Sequence, residues 1–125
     1  MARTKTGWSA MRANRMAALI VERLTGQPQE GYQSAAMLQG IETEPEARAL
    51  YEFITGADVV EVGLVRHPNL NGTHASPDGL VSDDGLVEIK CPQPAQHLDT
   101  LLTETIADRY VVQMLWQMQC TGRRW

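Results

Sequence analysis

The change of hydrophobic period along the chain constrains its fold more than any other feature. Residues 59–66 (Val-Val-Glu-Val-Gly-Leu-Val-Arg) are β-branched and alternate, the pattern of a half-buried strand. His74–Ser82 and Leu86–Cys91 read as two more short strands around Asp83-Asp84-Gly85. On either side the period turns helical. Ala17, Ile20, Val21 and Leu24 recur at helical spacing within Trp8–Leu24, and Gly26 and Pro28 supply the stop. Residues 26–33 read as a polar connection. Ser34–Gln39 favours helix, and Thr43-Glu44-Pro45-Glu46 has the pattern of a capping box with Pro in a first turn. Ala47, Leu50, Tyr51 and Ile54 then form an apolar stripe closed by Gly56, as one helix or as two broken at Gly40. Leu98 to Met118 continues the helical spacing, predicting one long helix over residues 96–120. Strands in this order need helices on at least one face, so the class is α/β or α+β.

At 125 residues the chain suits one domain, 1–125, large enough for a core without disulfides. With a single Phe, that core must be built from aliphatic side chains. Cys91 and Cys120 lack metal-ligand spacing, and Met16–Val21 is too short to span a bilayer or direct export. These features predict a reduced, cytoplasmic protein with no membrane association. A net charge of −4 argues against a nucleic-acid partner, but it is unevenly spread. Residues 1–25 hold Arg3, Lys5, Arg12, Arg15 and Arg23 against Glu22 alone, leaving +4 there and −8 over the rest. Clustered acids can also be metal ligands, which invert the local charge once a cation binds.

The stretch from Ser76 to Pro92 carries the chemistry. Glu88 and Lys90 share one strand face, while Val87 and Ile89 share the other. A three-residue Asp83-Asp84-Gly85 loop, with Gly85 left-handed, pairs Asp78 with Lys90 and sets Asp78 diagonal to Glu88. A two-residue Asp84-Gly85 loop would send Asp78 to the opposite face. In the first register two carboxylates converge and call for a cation. Hard oxygen ligands suit Mg²⁺, with Mn²⁺ able to substitute, and the Ile89 carbonyl can add a ligand. Lys90 is then placed to serve a water attacking phosphorus. Pro77-Asp78-Gly79 alone is ordinary turn chemistry, and Glu88 with Lys90 alone an ordinary solvated strand face; the combination is much rarer.

Pro77-Asp78 followed by Glu88-Ile89-Lys90 resembles the PD-(D/E)-x-K motif of restriction-endonuclease-like nucleases. The longer strings Ser-Pro-Asp-Gly-Leu (76–80) and Glu-Ile-Lys-Cys-Pro (88–92) are similar to the branch of phage lambda exonuclease and related viral recombinases. So are Gly40, Glu44, Ala47, Arg48, Tyr51 and Glu52 upstream, and Tyr110 with Gln113 downstream. The resemblance covers roughly residues 7–125 and implies a central mixed sheet flanked by helices. It implies that Asp78 and Glu88 bind metal with the Ile89 carbonyl, that Glu44 is an outer metal or water ligand, and that Lys90 serves the nucleophile. Gln113 and Tyr110 would face the site from the last helix. The implied activity is 5′→3′ digestion of one strand of linear double-stranded DNA in phage recombination. The implied partners are two further copies in a homotrimer and a single-strand annealing protein. Arg3, Lys5 and Thr6 are weak counterparts of the family's phosphate-binding segment. Gly122-Arg123-Arg124-Trp125 reads as a turn into a further strand, the expectation for a truncated or minimal version of a longer domain.

Arg12, Arg15, Tyr110 and His74 are the candidates for DNA contacts, His74 through a phosphate. His67 and His97 read as loop histidines, Trp116, Met114 and Met118 as core, and Cys91 as a packing residue without a base to activate it. Two other readings stay open: an endonuclease on the same fold, and an inactive DNA-binding or assembly module.

Overall fold

The computed structural model describes residues 3–4, 7–28, 31 and 33–125. Lys5 and Thr6, and Gln29, Glu30 and Tyr32 of the polar connection, lie outside the described residues. Contacts group the chain into two units, Met1–Gln33 and Ser34–Trp125.

In the first unit β1 (Arg3–Thr4) and β2 (Gly7–Trp8) pair antiparallel, Arg3 opposite Trp8. Helix α1 (Ala10–Thr25) follows and ends on left-handed Gly26, whose N–H bonds the Glu22 carbonyl. No residue of α1 is buried.

The second unit opens with α2 (Ala35–Thr55), which is continuous through Gly40. Ser34, not Thr43, caps it: the Ser34 hydroxyl accepts the Met37 N–H at 3.2 Å. Pro45 therefore sits inside the helix. The Ile41 carbonyl it leaves unpaired lies on an exposed turn where water can reach it. The expected apolar stripe is not the inward face, since Leu50 and Ile54 are exposed while Arg48 is buried and Glu44, Ala47, Tyr51 and Glu52 are half-buried. Charge neutralisation, described below, sets that face in place of hydrophobic periodicity.

Five short strands follow: β3 (Val59–Val60), β4 (Val65–Arg66), β5 (His74–Ala75), β6 (Gly79–Val81) and β7 (Gly85–Val87). β3, β6 and β7 form an antiparallel sheet in that order, and β4 pairs antiparallel with β5. Beyond α4 (Asp108–Thr121), Arg124 N–H bonds the Asp84 carbonyl and Leu86 N–H bonds the Trp125 carbonyl, both at 2.7 Å. These two bonds tie residues 124–125 to the end of the hairpin loop and to β7. Helices together with short antiparallel sheets fit the mixed α/β expectation.

The hairpin register differs from the expected one. Leu80 pairs with Leu86 and Val81 with Gly85, so the loop is Ser82-Asp83-Asp84. Ser82, at φ 47°, takes the left-handed position foreseen for Gly85. Gly85 is needed inside the strand because the Trp125 indole fills the space where a Cβ would stand. The shift is two residues, so every side chain keeps its face.

The helix expected over 96–120 is two: α3 (Pro94–Thr103) and α4. Glu104, left-handed at φ 52°, ends α3. The Thr103 hydroxyl bonds both the Asp99 carbonyl and the Thr105 hydroxyl at 2.8 Å, closing that end. Asp108 then places a negative charge at the amino end of α4. The buried apolar residues, Ala75, Val81, Leu86 and Cys120, lie where β5, β6, β7 and α4 meet.

A Cβ at Gly79 would overlap Val59 Cγ1 and come within 3.2 Å of Val87 Cγ1. Gly79→Ala is expected to lower stability by about 1–3 kcal/mol in urea unfolding. Gly63→Ala, where nothing lies within 4 Å, should leave the midpoint almost unchanged.

Candidate active site

Asp78 stands one residue before β6, and Glu88, Ile89 and Lys90 follow directly on β7. Continuing the observed register by one step sets Asp78 directly opposite Glu88, closer than the diagonal arrangement expected from sequence, with Cβ atoms roughly 4.5–5.5 Å apart in such pairs. The Ile89 N–H donates to Asp78 Oδ2 at 2.6 Å, closing the ribbon beyond its last ladder bond with a carboxylate. Glu88 and Lys90 flank this contact. The Glu88 side chain is only 2% exposed and Lys90 36%, and Lys90 Nζ donates to Glu88 Oε1.

Helix α4 completes the shell around Glu88. Gln113 Nε2 donates to Oε1 at 2.6 Å, and Gln117 Nε2 donates to Oε2 at 2.5 Å. Sequence reasoning found Gln113 but passed over Gln117, although one helical turn separates them and they share a face. Tyr110, a turn earlier, places its ring 5.5 Å from Lys90 Nζ. A hydrogen bond from Arg109, aided by the charges of Arg109 and Lys90, holds the Tyr110 hydroxyl below its ordinary pKa. Glu88, Lys90 and Tyr110 border a cleft of about 410 Å³ that also takes in Gln96, His97 and Met114.

Glu44 reaches the other side of Lys90, lining a cleft of about 360 Å³ with Ile89, Lys90 and Cys91. Burial, then the charges of Glu44 and Asp78, push the Cys91 thiol above its usual value, with Lys90 partly opposing. That shift disfavours the thiolate, the reactive form of the side chain. Glu44 Oε1 is also bound by Arg48 Nη2 at 2.6 Å, and Arg48 Nη1 pairs with Glu61. One buried guanidinium therefore fixes α2 to the segment after β3 and orients Glu44.

Of the remaining candidates, only His74 belongs to the same unit, and it lies outside these two clefts. The His74 side chain lines a separate cleft of about 440 Å³ with Arg66 and His67, while its carbonyl accepts from Trp116 Nε1 at 3.0 Å. Trp116 stacks on His67 at 5.2 Å and is half-buried. Arg12 and Arg15 belong to the first unit, where Arg12 lies 4.5 Å over the Trp8 ring and Arg15 is 4.0 Å from Glu22.

Among the described residues no three His, Cys, Asp or Glu side chains converge on one point. Asp78 and Glu88, two hard carboxylates on facing arms, are too few for zinc but fit a divalent ion that keeps several waters. No helix among the described residues is long and apolar enough to cross a membrane.

A helix-flanked sheet with an Asp on one arm of a ribbon and Glu-x-Lys on the other defines the PD-(D/E)-x-K class. Residues 8–124 match the model of the YqaJ-like viral recombinase domain, and the chain belongs to that family. Its structure is similar to that of an alkaline exonuclease, LHK-Exo, from Laribacter hongkongensis, with TM-score 0.84 and 51% identity over 98% of this chain and 60% of that one. The complex of LHK-Exo with dAMP is similar at the same TM-score and identity, over 94% of this chain and 59% of that one. The chain thus spans about three-fifths of these relatives. No curated protein matches it.

Replacing Arg48 by Met would leave Glu44 and Glu61 without their shared cation. Arg48 is 11% exposed but Glu61 is 71% exposed, so solvent screens part of the loss. The expected destabilisation is about 1–3 kcal/mol, read by urea denaturation.

Proposed function

We propose that the chain is a nuclease domain that hydrolyses DNA phosphodiesters with a bound divalent cation, Mg²⁺ by preference, and digests linear duplex from the 5′ end. The observation carrying this reading is the bond between the Ile89 N–H and Asp78, which brings one acid up to a second acid and an amine across two strands. Asp78, Glu88 and the Ile89 carbonyl would hold the ion, with Glu44 on its outer side. When bound, the ion lowers the pKa of water and offsets charge on the oxygens of an in-line displacement at phosphorus.

The chain's own groups supply the rest. Lys90, its ammonium held by Glu88 Oε1 and the Tyr110 ring, would orient the attacking water and offset the negative charge that develops on it. Gln113 and Gln117 hold the Glu88 carboxylate against α4, one amide on each oxygen. The cleft between Lys90 and Tyr110 is wide enough for a nucleotide, in keeping with a relative that forms a complex with dAMP. Arg12, Arg15 and His74 are proposed backbone contacts to duplex DNA. The same family reading extends to a homotrimer and to a single-strand annealing partner.

The decisive experiment follows linear duplex labelled separately at its 5′ and 3′ ends, with closed circular DNA in parallel. Loss of 5′ label first, an intact circle, arrest by EDTA and recovery with Mg²⁺ or Mn²⁺ are expected. Asp78→Ala and Lys90→Ala should each lower the rate by about 10²–10⁴ with an unchanged circular-dichroism spectrum. Full activity in either variant would reject the assignment, and a cut circle would turn it toward an endonuclease.

A further inference from the structure

We infer that Gln117 is a positioning residue that sets the place of Glu88 relative to Asp78, an inference that rests on the nuclease reading above. Gln117 is 2% exposed, the most deeply buried large side chain among the described residues. Its Nε2 donates to Glu88 Oε2 at 2.5 Å and to the Ser76 carbonyl at 3.4 Å. One amide thus grips both arms of the ribbon: Glu88 itself on the second, and the backbone two residues before Asp78 on the first.

The division of labour at the carboxylate follows. Oε1 is shared by Lys90 and Gln113, whose residues stand at the exposed side, whereas Oε2 has Gln117 as its hydrogen-bond donor. Gln117 Oε1 is buried with no hydrogen-bond partner among the described residues. Such an orphan is destabilising, because the oxygen gives up its bonds to water without replacement. Turning the amide over would set that oxygen against a carboxylate, so the unsatisfied orientation is the better one. An apolar residue there would avoid the orphan but would strip Oε2 of its donor inside the protein. The site accepts a destabilising group in order to hold Glu88. Trp116, next along the helix, bonds the His74 carbonyl of the same strand segment but does not touch either acid. It therefore serves as an internal control.

The test is calorimetric titration of Mn²⁺ into the DNA-free chain, alongside thermal unfolding. Gln117→Met, similar in volume but without a donor, should weaken Mn²⁺ binding by roughly 10–100-fold. It should also raise the Mn²⁺ concentration for half-maximal cleavage, with little change in KM for DNA. Gln117→Asn keeps the amide one methylene short, should shift affinity the same way, and carries the test should the Met variant not fold. Trp116→Phe should lower the Tm yet bind Mn²⁺ within about twofold of the parent, because it leaves both acids' hydrogen bonds in place. Parent-like Mn²⁺ affinity in a folded Gln117 variant, or equal loss in Trp116→Phe, overturns the inference while leaving the nuclease reading intact. A parent chain that neither binds Mn²⁺ nor cuts DNA overturns both.

Discussion

The hydrogen bond from the Ile89 N–H to Asp78 Oδ2 is the constraint on which the rest of the site depends. The ribbon formed by β6 and β7 has only three paired positions on each arm and would splay beyond Gly79 and Val87 if backbone bonds alone held it. A carboxylate takes over where the ladder stops. This side-chain bond keeps the ribbon closed at the point where Asp78 and Glu88 face each other across it. Asp78 thus shapes the very site it helps to compose.

The elements around the ribbon act on it through polar contacts more than through apolar packing. α2 approaches with Arg48 buried between Glu44 and Glu61, and its Glu52 accepts the Val59 N–H at 2.8 Å. α4 approaches with two glutamines and an indole N–H. Directional bonds of this kind specify one arrangement, where an aliphatic interface of the same size would tolerate sliding. The arrangement would suit the proposed metal site, whose two carboxylates repel one another without a cation between them.

Much of this was legible in the sequence. The alternating and helical runs marked the regions of strand and helix, but each expected strand is broken: 59–66 into β3 and β4, 74–82 into β5 and β6, and 86–91 at Val87. Asp78, Glu88 and Lys90 therefore flank the hairpin instead of lying within it, and the register was off by two. That error traces to Gly85, whose lack of a side chain was read as a turn requirement. It is instead a packing requirement set by Trp125, a residue forty positions away. The buried face of α2 was hidden for a related reason: Arg48 reads as a surface residue until its two carboxylate partners are known. Gln117 carried a signal in its spacing from Gln113, but nothing local distinguishes a buried glutamine from an exposed one. The break between α3 and α4 falls in a segment without Gly or Pro, and it depends on Thr103 and Thr105 closing a turn that propensity alone does not foresee.

The junction of Trp125 with the hairpin has a mechanical consequence. Helix α4 is stitched by Gln117 to Glu88 at the end of the ribbon and to the Ser76 carbonyl leading into it, and again just past its own end, where residues 124 and 125 bond the loop and β7. A rod fastened at two points can neither roll about its axis nor creep along it without breaking both seams at once. Ribbon and helix must therefore travel as one body, and whatever loosens the indole from Gly85 will be felt on the far side of the hairpin, at the acids.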